Sequence, residues 1–125
     1  VICPTSVLSQ WCDEFTTRVA PGVVRVLQHY GAGRAASVAA LRRYNVVVTT
    51  FGTVFHEFRS CGLESTTLAG GATALGGGGG GSGVGGGGRK AGCVLFGVRW
   101  ERVVLDEAHI IKNRATQVAQ ACAHA

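Results

Sequence analysis

Two adjacent carboxylates, Asp106 and Glu107, follow a short apolar run at residues 103–105. The run predicts a strand that ends at the acidic pair, and α/β sheets place their chemistry at the carboxyl ends of parallel strands. Hydrolysis of a nucleoside triphosphate needs one carboxylate to hold Mg2+ and another to orient or deprotonate the attacking water. The pair could divide these tasks, although an Asp-Glu pair can also simply cap a following helix.

The residues around this pair carry a resemblance to a known family. The string DEAHIIKN at residues 106–113, with Trp100 and Arg102 before it, resembles motif II of superfamily-two helicases in the form of the SWI/SNF-type DNA translocases. It most resembles the branch that contains the helicase-like transcription factor and the postreplication-repair translocases. Two further segments, described below, resemble the same family in the expected order.

The first twenty residues predict a strand end, a turn and a helix. Residues 1–3 are apolar, and Pro4 stops the strand because it lacks a backbone donor. Thr5 or Ser6 can then cap a helix. Because the apolar side chains recur at helical spacing, Trp11 is expected to lie in the core. These side chains are Val7, Leu8, Trp11, Cys12, Phe15 and Val19.

Residues 3–11, CPTSVLSQW, followed by Glu14, resemble motif Ia of the SWI/SNF-type family. The resemblance implies that Pro4, Thr5 and Ser6 approach a DNA phosphate. Backbone N–H groups and hydroxyls at a helix N-terminus form an anion site on their own account. Ser6 could equally be an ordinary N-cap.

Strand and helix predictions alternate through the middle of the chain. Residues 23–27 predict a short strand, and the alanine-rich residues 34–44 predict a helix. The continuous β-branched run at residues 46–48 is typical of a strand covered on both faces in a parallel sheet. His29 is expected to be a partly satisfied surface or core residue and not a ligand.

Residues 47–53, VVTTFGT, resemble motif Ib of the family, which implies that Thr49 and Thr50 lie near the DNA backbone. Phe51 stands where tyrosine is commoner in the family, so one hydroxyl is lost. Phe51, Val54, Phe55 and Phe58 fall at i, i+3, i+4 and i+7. This spacing predicts a helix with an aromatic inner face that belongs to the core rather than to a base-stacking platform.

Residues 64–92 differ in composition, since all but two of residues 76–88 are glycine. Such a segment cannot bury enough surface to offset its ordering entropy, so we expect a disordered, glycine-rich insertion in a surface connection. Its match to G-x-G-x-x-G carries no weight, because any glycine tract produces it and no strand leads into it. A DNA contact by Arg89 and Lys90 stays open.

The composition narrows the class of protein. A chain of 125 residues has room for one domain at most, and its net charge of +5 favours an anionic partner without identifying it. Five cysteines without metal-site spacing are expected to be reduced, intracellular thiols. No apolar run reaches membrane-spanning length, so no membrane partner is expected. The chain begins without methionine and is expected to be a fragment.

Alternating strands and helices predict an α/β fold with a parallel sheet. With the resemblance, residues 1–125 are expected to form part of the first RecA-like lobe of a P-loop NTPase, interrupted at residues 64–92. The resemblance implies a nuclear protein of chromatin remodelling or DNA repair that hydrolyses ATP to move along double-stranded DNA, nucleosomal or naked. It implies ATP and Mg2+ as cofactors and a second RecA-like lobe as partner.

The resemblance also implies roles for single residues. Asp106 would hold Mg2+ and, with His109, would belong to the nucleotide-binding site. Glu107 would position and activate the water, and His109 would also transmit the nucleotide state. His109 could equally be a structural, hydrogen-bonding residue. No Gly-Lys-Thr phosphate loop occurs in these residues, so the chain alone is expected to be inactive. A noncatalytic nucleic-acid-binding scaffold derived from a translocase and a strand-separating DEAH helicase remain alternatives.

Overall fold

The computed structural model of the chain describes residues 1–63, 93–113 and 116–125. Three strands form a parallel sheet: β1 (Ile2–Cys3), β2 (Val26–Gln28) and β3 (Val46–Thr50). Their order in the sheet is β1-β3-β2, so β3 lies in the middle. The predicted α/β fold is confirmed, and it is the architecture expected of part of a RecA-like lobe. The helices are α1 (Leu8–Arg18), α2 (Val38–Leu41), α3 (Phe51–Ser60) and α4 (Gln117–His124).

The acidic pair follows a fourth segment that lies beside β1. Leu105 forms an isolated parallel bridge with Ile2. The N–H of Ile2 donates to the carbonyl oxygen of Val104 at 2.8 Å, and the N–H of Asp106 donates to the carbonyl oxygen of Ile2 at 2.9 Å. The strand predicted at residues 103–105 is therefore a single bridge, and Asp106 lies at its carboxyl end.

The central strand β3 is buried on both faces, as its run of β-branched residues predicted. Successive side chains of a strand point to opposite faces. Val47 joins the larger core cluster, with Phe51 and Phe58 of α3. Val48 joins a second cluster with Leu8 of α1. The sheet thus holds α3 on one side and α1 on the other.

The aromatic face of α3 is confirmed as core. Phe51, Val54 and Phe58 are buried. Phe55 is half-buried, and the guanidinium carbon of Arg59 lies 5.9 Å from the centroid of its ring. The stripe therefore packs inward, with Phe55 at its margin.

Two elements are shorter than predicted. β2 begins at Val26 and not at residue 23. Val23 lies outside the sheet and is exposed. The predicted helix at residues 34–44 shrinks to one turn, α2, which begins after Ser37. The Ser37 hydroxyl accepts a hydrogen bond from the N–H of Ala40 at 3.1 Å. This cap accounts for the start of α2 at Val38.

The predicted hydroxyl cap of α1 is wrong. No side chain caps the start of α1 or of the 3-10 turn Thr5–Val7 that precedes it. The turn itself supplies the hydrogen bond, from the N–H of Val7 to the carbonyl oxygen of Pro4 at 3.2 Å. Tight turns of this kind satisfy helix-terminal groups without a side chain.

The prediction that all five cysteines are reduced is also wrong. Cys61 and Cys93 form a disulfide with their Cα atoms 5.5 Å apart. Cys3, Cys12 and Cys122 are free thiols. The bonded pair is 32 residues apart in sequence and meets only through folding. Cysteine spacing alone could not identify it.

The glycine-rich insertion predicted at residues 64–92, with Arg89 and Lys90, lies outside the described residues. In the part of the chain that the structure describes, no helix combines the length and the apolar character that crossing a bilayer requires.

Candidate functional site

Asp106 is held at both its backbone and its side chain. Its N–H bonds to β1, as described above, and its Oδ2 accepts a hydrogen bond from the indole Nε1–H of Trp11 at 2.7 Å. Trp11 lies on α1, with its ring centroid 6.1 Å from that of Phe15. It was predicted as a core residue, but it is half-buried and its polar edge faces the carboxylate. α1 and the 103–106 segment thus meet at this hydrogen bond.

The buried Cys3 lies next to this carboxylate. Burial raises the pKa of the Cys3 thiol, and the negative charge of Asp106 raises it further. The thiol lies 3.6 Å from the carbonyl oxygen of Thr49, to which it donates. Both effects disfavour the thiolate, which is the form in which a cysteine binds metal ions. Asp106 places carboxylate oxygens at this same edge of the sheet.

Glu107 turns the chain sharply after Asp106. Its backbone is left-handed, with φ 54° and ψ 44°, and it is the one non-glycine residue with positive φ among the described residues. This conformation costs a non-glycine residue about 1–2 kcal/mol, and such strain concentrates at functional sites. The turn brings Oε2 of Glu107 to 2.9 Å from Nδ1 of His109. Both side chains are more than half exposed, at 53% and 61% respectively.

The oxygens of this pair suit Mg2+. Oδ2 of Asp106 is engaged by Trp11, while its Oδ1 has no hydrogen-bond partner among residues 1–63, 93–113 and 116–125. These ranges contain no cluster of three side chains that could chelate a metal. Mg2+ is commonly bound by one or two carboxylates together with water and substrate phosphates. A single aspartate with one available oxygen fits that pattern.

Asp106 and Trp11 also line an open cavity of about 540 Å3 beside α1. Within its wall, Arg18 and Glu14 form an exposed ion pair one helical turn apart. The cavity gives small solutes access to the carboxylate from this side. The remaining lining residues are Val7, Gln10, Phe15 and Val19.

The residues predicted from motif Ia lie at the carboxyl end of β1. Thr5 and Ser6 are exposed and Pro4 is half-buried. They form the turn that leads into α1. Thr5 and Ser6 are therefore accessible from solvent in the turn before α1.

The residues predicted from motif Ib lie at the carboxyl end of β3 and are buried. Thr49 is 3% exposed, and its hydroxyl donates to the carbonyl oxygen of His29 at 2.9 Å. Thr50 is 4% exposed, and its hydroxyl accepts from the N–H of Thr53 at 3.2 Å, which caps α3. Both hydroxyls are thus used inside the protein. Because Cys3 pairs with Thr50, the two motifs nevertheless meet at the same edge of the sheet.

A buried polar network that the sequence did not indicate joins three segments. Nδ1 of His29 accepts from the N–H of Ala35 at 3.1 Å, so the ring proton is on Nε2, which donates to Oε1 of Glu57 at 2.8 Å. Oε2 of Glu57 accepts from the N–H of Leu95 at 2.9 Å. Both carboxylate oxygens of Glu57 are therefore hydrogen-bonded inside the protein. The network holds β2, α3 and the chain after residue 92 together.

Trp11 is the site residue that sequence reasoning missed. The available signal was chemical, since a tryptophan that is largely buried must find an acceptor for its indole N–H. Nothing in the local sequence named that acceptor, because Trp11 and Asp106 are 95 residues apart.

Comparison with known proteins adds the family. A family model described as "SNF2-related domain" matches residues 1–125. The chain is 31% identical to "DNA repair protein rad5" of Aspergillus fumigatus, over 98% of this chain and 8% of the relative. It is 32% identical to "DNA repair protein RAD5A" of Arabidopsis thaliana, over 98% of this chain and 9% of that relative.

A third relative is the "Helicase-like transcription factor" of Oryctolagus cuniculus, at 29% identity over 97% of this chain and 9% of the relative. The chain thus spans less than a tenth of the length of these three relatives. No solved structure matches it significantly.

Proposed function

This chain belongs to the SNF2-related domain family, and from that premise we propose that its parent protein is a DNA-dependent ATPase that hydrolyses ATP to move along duplex DNA. The relatives carry the names of DNA repair proteins and of a helicase-like transcription factor. The proposal therefore includes a role in DNA repair or chromatin remodelling and a nuclear location. Naked DNA and nucleosomes are both candidate substrates.

The observation that supports this function best is the position of Asp106 and Glu107. They follow the segment that bridges β1, at the carboxyl end of a parallel sheet. That is the edge at which open α/β sheets bind their ligands. Two exposed or half-exposed carboxylates at such an edge suit the two tasks of nucleotide hydrolysis.

In the proposed mechanism Asp106 would hold Mg2+, and Trp11 leaves Oδ1 of this carboxylate available. When bound, the ion neutralises charge on the nucleotide phosphates. Glu107 orients the attacking water and accepts its proton, for which its side chain must exchange its contact with His109 for one with water. His109 would then report the change at Glu107 to neighbouring segments.

DNA would bind at the turn before α1. The exposed hydroxyls of Thr5 and Ser6, next to Pro4, supply donors for a backbone phosphate. Thr49 and Thr50 would support this edge from inside, since their hydroxyls are already bonded. The net charge of +5 favours the same anionic partner.

ATP turnover would need a phosphate loop and a second RecA-like lobe in addition to these residues. The chain contains no Gly-Lys-Thr sequence. The 125-residue chain alone is therefore expected to be inactive, and the function is proposed for the full-length parent.

The test is DNA-stimulated ATP hydrolysis by the full-length parent and by its Glu107→Gln variant. Loss of the proton acceptor is expected to lower kcat by about 100-fold or more, with little change in DNA affinity. Equal turnover by both proteins would contradict the role of Glu107. DNA binding without any turnover by the wild type would favour the noncatalytic scaffold.

A parallel assay separates translocation from strand separation. The parent should displace the third strand of a triplex, which requires only movement along the duplex. Unwinding of a plain duplex at a comparable rate would instead favour a strand-separating DEAH helicase.

A further inference from the structure

We propose that Trp11 is a positioning residue for the metal site: its indole N–H holds one oxygen of Asp106 so that the other faces Mg2+ or its water ligands. The inference rests on the proposed function, since it takes Asp106 as the metal-binding carboxylate. It adds a residue from α1 to that site. The structural basis is the 2.7 Å hydrogen bond from Nε1 of Trp11 to Oδ2 of Asp106.

The hydrogen bond removes the remaining freedom of Asp106. Its backbone is already tied to β1 by the bond from its N–H to Ile2. The terminal torsion of an aspartate is broad and roughly two-fold, so a free carboxylate would present either oxygen at many angles. Indole is a donor only, and a bond from it to a carboxylate is charge-assisted and therefore strong. It fixes the carboxylate plane and leaves Oδ1 available.

Trp11 is itself held firmly enough to position another residue. α1 packs on the sheet through Leu8, which is 2% exposed and lies in one cluster with Cys3 and Val48. Trp11 packs against this cluster, with Phe15 beside it. The donor atom is therefore placed by the packing of α1 on β3. Partners that orient a metal ligand in this way commonly affect metal affinity by about 10- to 100-fold.

If Trp11 served only as an apolar packing residue, loss of its indole N–H would leave metal binding unchanged. A substitution that removes the N–H therefore tests the positioning role. Trp11→Phe keeps an aromatic ring in the wall of the cavity and removes only the donor and the second ring. Trp100→Phe is a matched control, because the half-buried Trp100 also donates its indole N–H, to the carbonyl oxygen of Leu95 at 3.0 Å. That bond involves no candidate metal ligand.

The experiment uses the full-length parent and two readouts. The first is the affinity for Mn2+, as a probe for Mg2+, measured by electron paramagnetic resonance with a nonhydrolysable ATP analogue. The second is the Mg2+ concentration that gives half-maximal ATPase. Trp11→Phe is expected to weaken Mn2+ binding about tenfold and to raise the Mg2+ requirement by a similar factor. Saturating Mg2+ should restore most of kcat, and Trp100→Phe should change neither readout.

An unchanged Mn2+ affinity in a folded Trp11→Phe protein would overturn the proposal, as would a loss of activity that Mg2+ does not rescue. If Trp11→Phe does not fold, benzothienylalanine at position 11 replaces only the N–H by sulfur and keeps the ring size. Asp106→Asn distinguishes a failure of the proposed metal role of Asp106 from a failure of the positioning role of Trp11. If it does not weaken Mn2+ binding, the metal role of Asp106 and the role of Trp11 both fail. If it does and Trp11→Phe does not, only the role of Trp11 fails.

Discussion

At the scale of single residues, Glu107 combines a proposed catalytic role with an unfavourable backbone. A left-handed conformation suits glycine, and a glutamate adopts it only where the surrounding structure imposes it. Here only Asp106 and Glu107 connect the bridge at Leu105 to the 3-10 turn Ala108–Ile111. The strain thus arises from the path of the chain and does not require the carboxylate.

A pair of substitutions tests this account of Glu107. Glu107→Gly should be more stable than Glu107→Ala by about 1 kcal/mol, because both lack the side chain and only glycine avoids the left-handed penalty. Urea unfolding of the purified chain measures the difference. Alanine equal to or more stable than glycine would show that the backbone at this position is not strained.

At the scale of elements, the end of β3 and the start of α3 share one residue. Thr50 is the last residue of β3 and the N-cap of α3, and its hydroxyl accepts from the N–H of Thr53. Motif Ib therefore has a structural duty beyond any approach to DNA. This explains why the hydroxyl of Thr50 points into the protein.

The capping duty predicts a difference between two variants at Thr50. Thr50→Ala should be less stable than Thr50→Ser by about 1 kcal/mol, since both lack the buried methyl group and only serine keeps the capping oxygen. Denaturant unfolding curves of the two variants provide the measurement. Identical midpoints and slopes would rule out a stabilising cap.

At the scale of the whole molecule, the chain after residue 92 is tied to the rest of the fold through buried polar and apolar contacts. Leu95 lies in the larger core cluster, and its N–H donates to the buried Glu57. The disulfide from Cys61 to Cys93 joins the same two regions. These contacts fix the position of the segment that later carries Asp106.

Removal of the buried carboxylate should therefore be costly. Glu57→Leu leaves the Nε2–H of His29 and the N–H of Leu95 without an acceptor, so the free energy of unfolding should fall by roughly 3 kcal/mol. The free energy of unfolding of Glu57→Gln should lie between those of the wild type and Glu57→Leu, because its amide oxygen can still accept one hydrogen bond. Glu14→Leu, at an exposed ion pair, should change stability far less than Glu57→Leu, because solvent screens that pair. Equal losses for Glu57→Leu and Glu14→Leu would contradict the network.

The local sequence determined the elements and the candidate carboxylates. Alternation of apolar runs and helical periodicities predicted β3, α1 and α3, because both patterns depend on neighbouring residues only. The motif around Asp106 and Glu107 predicted their place at a strand end for the same reason. The alanine-rich composition of residues 34–44 predicted too long a helix, since α2 covers only Val38–Leu41 and begins after the cap at Ser37.

Only the tertiary structure decided which side chains meet. The hydrogen bond from Trp11 to Asp106 joins residues that are 95 positions apart in the sequence. The partners of Glu57 lie 28 and 38 positions from it, and the two cysteines of the disulfide are 32 positions apart. Such contacts depend on how α1 and α3 pack on opposite faces of the sheet. No short-range pattern encodes that packing, because each partner's neighbours in sequence are compatible with many other partners.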